Sequence, residues 1–327
     1  GGPFPDVVRE HGASRVSTKV LTTPESPETG VFAGIQDALQ HAGLGPTQVG
    51  LLLHGTTLAT NAILERRGAR TALITTEGFR DVLEIGHESR YDQYDLYLDK
   101  PVPLVPRNLR LAVPERVDLH GRVLRPLDED AVLGCLPTLD AAGVESVAVG
   151  FLHAYANPAH EQRVAEILAR ERPDLWVSLS AEVCPEVREY ERLSTTVANA
   201  YVRPRMAGYL QRLATGLVER GLGCPVLLMT SGGGLTTLDT ARRLPIRLVE
   251  SGPAGGAILA AFLARELALD RVLSFDMGGT TAKICLIEQG TPQGAREFEV
   301  DRAARFQKGS GLPLRIPVIE MVEIGAG

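Results

Sequence analysis

Short apolar runs alternate with longer stretches of helical spacing along most of this chain. Residues 49–53, 70–75, 146–152, 175–179, 225–229 and 272–275 are compact apolar runs and read as strands. Residues 28–42, 57–67, 158–171 and a long stretch around 189–220 repeat their apolar positions every three to four residues and read as helices. In the first of these, Val31, Ile35, Ala38 and Leu39 fall on one face. Strand-then-helix alternation of this kind predicts an α/β fold with mixed sheets flanked by helices. Weaker signals fill the gaps: a strand at 16–22, a short helix at 78–85, an edge strand at 115–119, and late strands at 297–300 and 315–322, with a turn at 308–311 between the last two. A helix starting at Asp128 should end or kink at Pro137. Residues 88–114 are irregular, charged and aromatic.

Three strand ends carry polar or glycine-rich turns. In the stretch from Ser274 to Ile287, an apolar run enters Asp276, then Gly278, Gly279, Thr280 and Thr281, then a second apolar run. Paired glycines let a backbone approach a bulky anion, threonine hydroxyls add donors, and a carboxylate at the strand end suits a divalent cation or its water. The same pattern also describes an ordinary glycine-turn hairpin. Strand 49–53 runs into His54, Gly55, Thr56, Thr57 and, a turn later, Asn61; strand 225–229 runs into Thr230, Ser231 and three glycines. Ligands gather at the carboxyl ends of strands in open α/β sheets. Thr56 or Thr57 would equally serve to cap the following helix.

With 327 residues the chain is long enough for about two domains. A hydrophobic content of 44% supports a proper core. The net charge of −6, from 34 basic and 40 acidic residues with no basic block, argues against a nucleic acid or an anionic membrane as partner. No apolar run approaches the ~20 residues that span a bilayer. Cys135, Cys184, Cys224 and Cys285 are scattered and read as small buried residues of a reducing, cytoplasmic protein. Both ends look cut, which predicts a piece of something longer.

Two local clusters admit rival readings. His153, His160 and Glu161 invite a metal site, but Asn157 and Pro158 mark a helix start that the histidines would merely flank. Glu189, Tyr190, Glu191 and Arg192 read as a solvated helix face with paired charges.

The blocks HGTTLATNAILERRGARTALITTEGFRDVLEIG, NAYVRPRM, SGPAGG and DMGGTT together resemble the ATP-binding subunit of the hydantoinase/oxoprolinase family, which is related to the acetone and acetophenone carboxylase subunits. The resemblance covers nearly the whole chain. It implies an actin-like ATPase (ribonuclease H-like) fold with a first lobe over residues 1–250, a connecting helix at 251–268, and a truncated second lobe from 269 to 327. It further implies ATP-dependent hydrolysis of a small cyclic amide by phosphorylation of its carbonyl oxygen, with Mg²⁺ or Mn²⁺ and a second, B-type subunit as partner; the alternatives are the ATP-using subunit of a ketone carboxylase and a non-catalytic actin-like scaffold. On that resemblance Gly278, Gly279, Thr280 and Thr281 would cradle phosphates, facing Gly1, Gly2 and Asp6 from the first lobe. Asp276 would hold the metal through water. His54 would stabilise a developing oxyanion, with Thr56, Thr57 and Asn61 on the substrate side. Three features depart from the family pattern. Pro3 and Pro5 stand where threonines are usual, Lys283 stands where many members carry an aspartate, and the part that normally holds adenosine lies beyond residue 327.

Overall fold

The computed structural model of the chain describes residues 6–12, 14–23, 25–87, 90–277, 281–304 and 307–325. A hairpin of β1 (Asp6–His11) and β2 (Ser14–Lys19) precedes α1 (Pro27–Ala42). After β3 (Leu52–His54) and α2 (Leu58–Leu64) come β4 (Thr71–Thr76), α3 (Val82–Ile85), β5 (Arg110–Val113), β6 (Arg116–Val117) and β7 (Val123–Arg125). Two short helices, α4 (Glu129–Leu133) and α5 (Leu136–Ala141), lead to β8 (Ser146–Gly150), α6 (Ala159–Glu171), β9 (Trp176–Leu179) and α7 (Ser180–Val183). The long α8 (Glu189–Glu219) is followed by β10 (Val226–Met229), β11 (Leu235–Thr237), α9 (Leu238–Arg243) and α10 (Ser251–Glu266). The remainder is β12 (Arg271–Met277), β13 (Thr281–Glu288) and six shorter strands: β14 (Thr291–Pro292), β15 (Gly294–Ala295), β16 (Phe298–Val300), β17 (Leu312–Leu314), β18 (Val318–Ile319) and β19 (Val322–Gly325).

Three sheets matter for function. The parallel sheet β5-β4-β8-β9 is buried along the whole of β4 and β8. Their near-continuous apolar sequences follow from helices lying on both faces. In the second sheet β3 and β10 run parallel, with β11 antiparallel at the edge. In the third, β12 and β13 form an antiparallel ribbon extended by β14 and β19.

Helix α8 lies between the first two sheets. Leu193, Val197 and Ala200 belong to the core around β4 and β8, whereas Val202, Met206, Leu210 and Leu213 belong to the core under β3 and β10. Neighbours approach it closely at glycines. A Cβ on Gly150 would lie 2.0 Å from Leu193, one on Gly68 2.2 Å from the Tyr201 ring, and one on Gly216 2.3 Å from the Phe32 ring of α1.

Several expectations change in the structure. The face from Glu189 to Arg192 is not solvated: Glu191 is 6% exposed and Arg192 fully buried. Arg192 donates to the carbonyls of Glu186 and Phe151, which offsets its desolvation. The strand expected over 315–322 is broken between β17 and β18, where Pro317 has no N–H to give a ladder. The edge strand at 115–119 shrinks to the two residues of β6. The helix after Asp128 already ends at Leu133, capped by Gly134, and Pro137 stands in the first turn of the next helix, α5, rather than ending one. The His153–His160–Glu161 metal reading gives way to hydrogen bonds. His160 Nδ1 donates to Glu115 Oε2 at 2.8 Å, Glu161 accepts from Phe151 N, Ser180 Oγ and Ala181 N, and His153 pairs with Tyr155.

Candidate nucleotide and substrate site

Because β3 and β10 are parallel neighbours, with Leu52 opposite Val226 and His54 opposite Leu228, their carboxyl ends emerge side by side. The loop from His54 to Thr57 therefore lies beside the loop from Thr230 to Gly234. The second loop is closed by Thr230 N donating to Gly234 O at 2.9 Å. Gly233 has φ +79°, and a Cβ there would meet Ile258 at 2.8 Å, so only glycine fits.

The start of α10 docks on the first loop. Ser251 Oγ donates to Thr56 O at 3.0 Å, and Glu250 N donates to Thr60 Oγ1 at 3.0 Å. Glu250 adopts left-handed backbone, φ 62° and ψ 20°, an uncommon state for a residue with a side chain. From there its carboxylate pairs with the Lys283 ammonium, a contact between two largely buried side chains. Lys283 is the direct cross-strand partner of Asp276, whose own side is exposed at the end of β12. One bonded chain thus runs from the Asp276 hairpin through Lys283 and Glu250 to α2 and the His54 loop. The sequence contains each of these pieces, but no local signal pairs Lys283 with Glu250, 33 positions away.

His54 Nε2 and Tyr209 OH, from α8, are 2.8 Å apart. Burial lowers the imidazole from its ordinary 6.5 to about 4, so the ring is neutral at pH 7. Burial also raises the Tyr209 phenol. Thr56 Oγ1 accepts from Leu58 N at 3.2 Å and so caps α2, while Thr57 sits at the N-cap position with no side-chain bond of that kind. Asn61 lies on α2, half-buried, and its carbonyl accepts from Glu65 N. Asp6 opens β1, exposed and 3.4 Å from Lys19 across the hairpin; among the described residues no hydrogen bond or ion pair ties it to the Asp276 cluster. Thr281 opens β13. Gly1, Gly2, Gly278, Gly279 and Thr280 lie outside the described residues.

Known proteins share this fold. Acetone carboxylase, solved in a nucleotide-free form, superposes with a TM-score of 0.86 at 27% identity, covering 100% of this chain and 47% of that one. The ATP-dependent caprolactamase of Pseudomonas jessenii gives 0.84 at 30% identity, again over 100% of this chain and 47% of that chain. An uncharacterised protein of Methanocaldococcus jannaschii is 39% identical over 335 residues, 100% of this chain and 49% of its own length. The chain therefore spans about half the length of these relatives. Its fold is the α/β actin-like ATPase type, with mixed parallel and antiparallel sheets flanked by helices. Residues 1–172 match the hydantoinase/oxoprolinase N-terminal region and residues 192–327 match hydantoinase/oxoprolinase itself. On both halves of its length, this chain belongs to the hydantoinase/oxoprolinase family.

Proposed function

We propose that this chain is the nucleotide-using part of an enzyme that phosphorylates the oxygen of a carbonyl compound with ATP. The observation that carries the reading is the bonded convergence of the Asp276–Lys283 ribbon, Glu250–Ser251 and the His54–Thr60 block. Domain limits at residues 250 and 268 belong to the same proposal: α10 joins two lobes, and the Asp276 ribbon starts the second.

The residues present fit a metal–triphosphate better than a bare metal. Asp276 is an exposed carboxylate at a strand end, and Mg²⁺ is commonly held by one or two carboxylates together with substrate phosphates. Asp276 would hold the ion through water; Gly278, Gly279, Thr280 and Thr281 would cradle phosphates, with Gly1, Gly2 and Asp6 facing them. The bound ion would supply charge neutralisation on the transferring phosphoryl group. Lys283 is held back by Glu250, and among the described residues no ion pair reaches Asp276. With Tyr209 OH as the donor in its 2.8 Å contact to His54 Nε2, the imidazole proton would sit on Nδ1, where a neutral donor would meet a developing oxyanion. Thr56, Thr57 and Asn61 would orient the substrate around it.

The acceptor oxygen forms a bond to the γ-phosphorus, the bridging P–O bond breaks, and ADP leaves. For a ketone, loss of an α-proton supplies the enolate oxygen; the α-carbon of the resulting enol phosphate later attacks CO₂ while water takes the phosphoryl group and phosphate leaves. The fit to acetone carboxylase favours this branch, with a TM-score of 0.86. For a cyclic amide, O-phosphorylation abolishes amide resonance and water opens the ring; the 30% identity to the caprolactamase supports that branch. Either fate needs a second component, which we propose is a separate subunit.

The test uses the full-length protein with its partner subunit. Phosphate release is measured with acetone or acetophenone plus bicarbonate, and with caprolactam, 5-oxoproline and hydantoin without it. Bicarbonate-dependent release supports the carboxylase, and release with an amide alone supports the hydrolase. No release with any of them, and no nucleotide binding by calorimetry, overturns the proposal. Asp276→Asn is expected to abolish turnover while circular dichroism stays unchanged; full turnover would remove Asp276 from the site.

A further inference from the structure

A cavity lies away from the nucleotide side. It has a volume of about 520 Å³ and is walled by Phe79 and Val82, by His87, and by Arg188–Glu191 at the start of α8, with Arg315 closing it from the β17–β18 segment. Tyr190 in its wall and Tyr209, which touches His54, are 19 positions apart on α8 (about 28 Å at about 1.5 Å per residue). The cavity is therefore separate from the candidate nucleotide site.

Its polar groups carry both signs of charge, and among the described residues one of its carboxylates has no hydrogen bond. The Glu191 side chain is 8% exposed, yet no hydrogen bond reaches its carboxylate from the described residues. His87 Nε2 and the Arg315 guanidinium both stand off at 3.7 Å from its Oε1. A buried carboxylate left with distant ion pairs forgoes the bonds that would offset its desolvation. Arg315 is held in place by donating to Val187 O at 2.7 Å and to Glu297 Oε2 at 3.5 Å, with Glu186 Oε2 3.8 Å from its Nε, so its charge is already shared among carboxylates on one side. Arg188, also in the wall, has φ +83° and ψ +103°, a backbone state costly for a residue with a Cβ.

We propose that this cavity binds a free α-amino acid with an apolar side chain. The ammonium would donate to Glu191, and the carboxylate would sit against Arg315 and Arg188. Glu191 and Arg315 are only 3.7 Å apart, so both ligand charges must be carried close together, as on a single α-carbon. The side chain would lie on Phe79, Val82 and Tyr190, whose phenol burial pushes up to about 12. Charged groups of both signs beside an apolar wall match a zwitterion better than either a lone amine or a lone acid.

The experiment is calorimetric titration of the full-length protein, without nucleotide, with three probes of one skeleton: L-leucine, 3-methylbutylamine and 4-methylpentanoate. L-Leucine is expected to bind at least about tenfold more tightly than either single-charge analogue, the value of one charge-assisted hydrogen bond. Glu191→Gln and the cavity-filling Val82→Phe, each checked for folding by circular dichroism, are both expected to weaken L-leucine at least about tenfold. No binding of L-leucine at tens of millimolar, equal binding of the three probes, or unchanged binding in a folded variant overturns the proposal.

Discussion

His54 and Glu161 are both held against their ordinary charge states by burial, and they pull stability in opposite directions. His54 stays neutral down to about pH 4, while the unfolded chain protonates near 6.5. The unfolded state therefore gains protons first, and stability is lost as pH falls from 6.5 towards 4. The full effect is at most about 3–4 kcal/mol. Glu161 is raised to about 7 by burial, against three hydrogen bonds that favour its ionised form. Here the folded state binds the proton first, so stability falls as pH rises from 4.5 to 7. The two windows overlap and partly cancel in the intact protein. The difference between wild type and His54→Gln in chemical denaturation isolates one of them: the variant should lose less stability between pH 6.5 and 4. Parallel curves would show that His54 titrates normally. The Lys283–Glu250 pair calls for a mutant cycle. Lys283→Met alone leaves Glu250 uncompensated and should cost about 1–3 kcal/mol, whereas Lys283→Met combined with Glu250→Gln should recover most of it. Additive losses would mean the pair is not coupled.

At the scale of elements, α8 shows what the sequence makes legible and what it hides. Its span from 189 to about 220 follows from helical spacing, and so do α1, α6 and the buried strands β4 and β8. Its environment does not. Thr195 Oγ1 accepts from Arg315 N, and Asn199 accepts from Ile246 N and donates to Ser178 Oγ. Each partner lies on another element, so a charged or hydroxylic residue looks solvated in sequence and is buried in fact. The site is legible in the same partial way. The polar turns after β3 and β10 stand out, but their adjacency depends on a parallel pairing of strands about 170 residues apart. The broken strand after β17 was legible in principle, because Pro317 is its breaker. Close approach to α8 gives a sharp prediction. Gly216→Ala would place a methyl 2.3 Å from the Phe32 ring, forcing α1 off α8. A loss of about 1–3 kcal/mol is expected from thermal unfolding, and Phe32→Leu in the same chain should restore part of it. A neutral Gly216→Ala would show that α1 shifts freely.

For the whole molecule, the ribbon of β12 and β13 presents an apolar face. Leu273, Phe275 and Met277 alternate outward from β12 and are 60–66% exposed, and Leu259, Phe262 and Leu263 of α10 are about half exposed. Exposed apolar surface of this kind marks a place of association. The folded chain should bind a hydrophobic dye and self-associate in sedimentation as concentration rises. Leu273→Thr with Phe275→Thr, which keep β propensity, should reduce both; an unchanged profile would place the adhesive surface elsewhere. Helix α8 has a consequence at this scale as well. It spans roughly 46 Å at 1.5 Å per residue. It carries Glu191 near one end, Tyr209 against His54 further along, and Gly216 under α1 near the other. A beam of that length cannot shorten. A push on one end must therefore come out at the other as a tilt, or be absorbed where Pro204 interrupts its hydrogen-bond ladder.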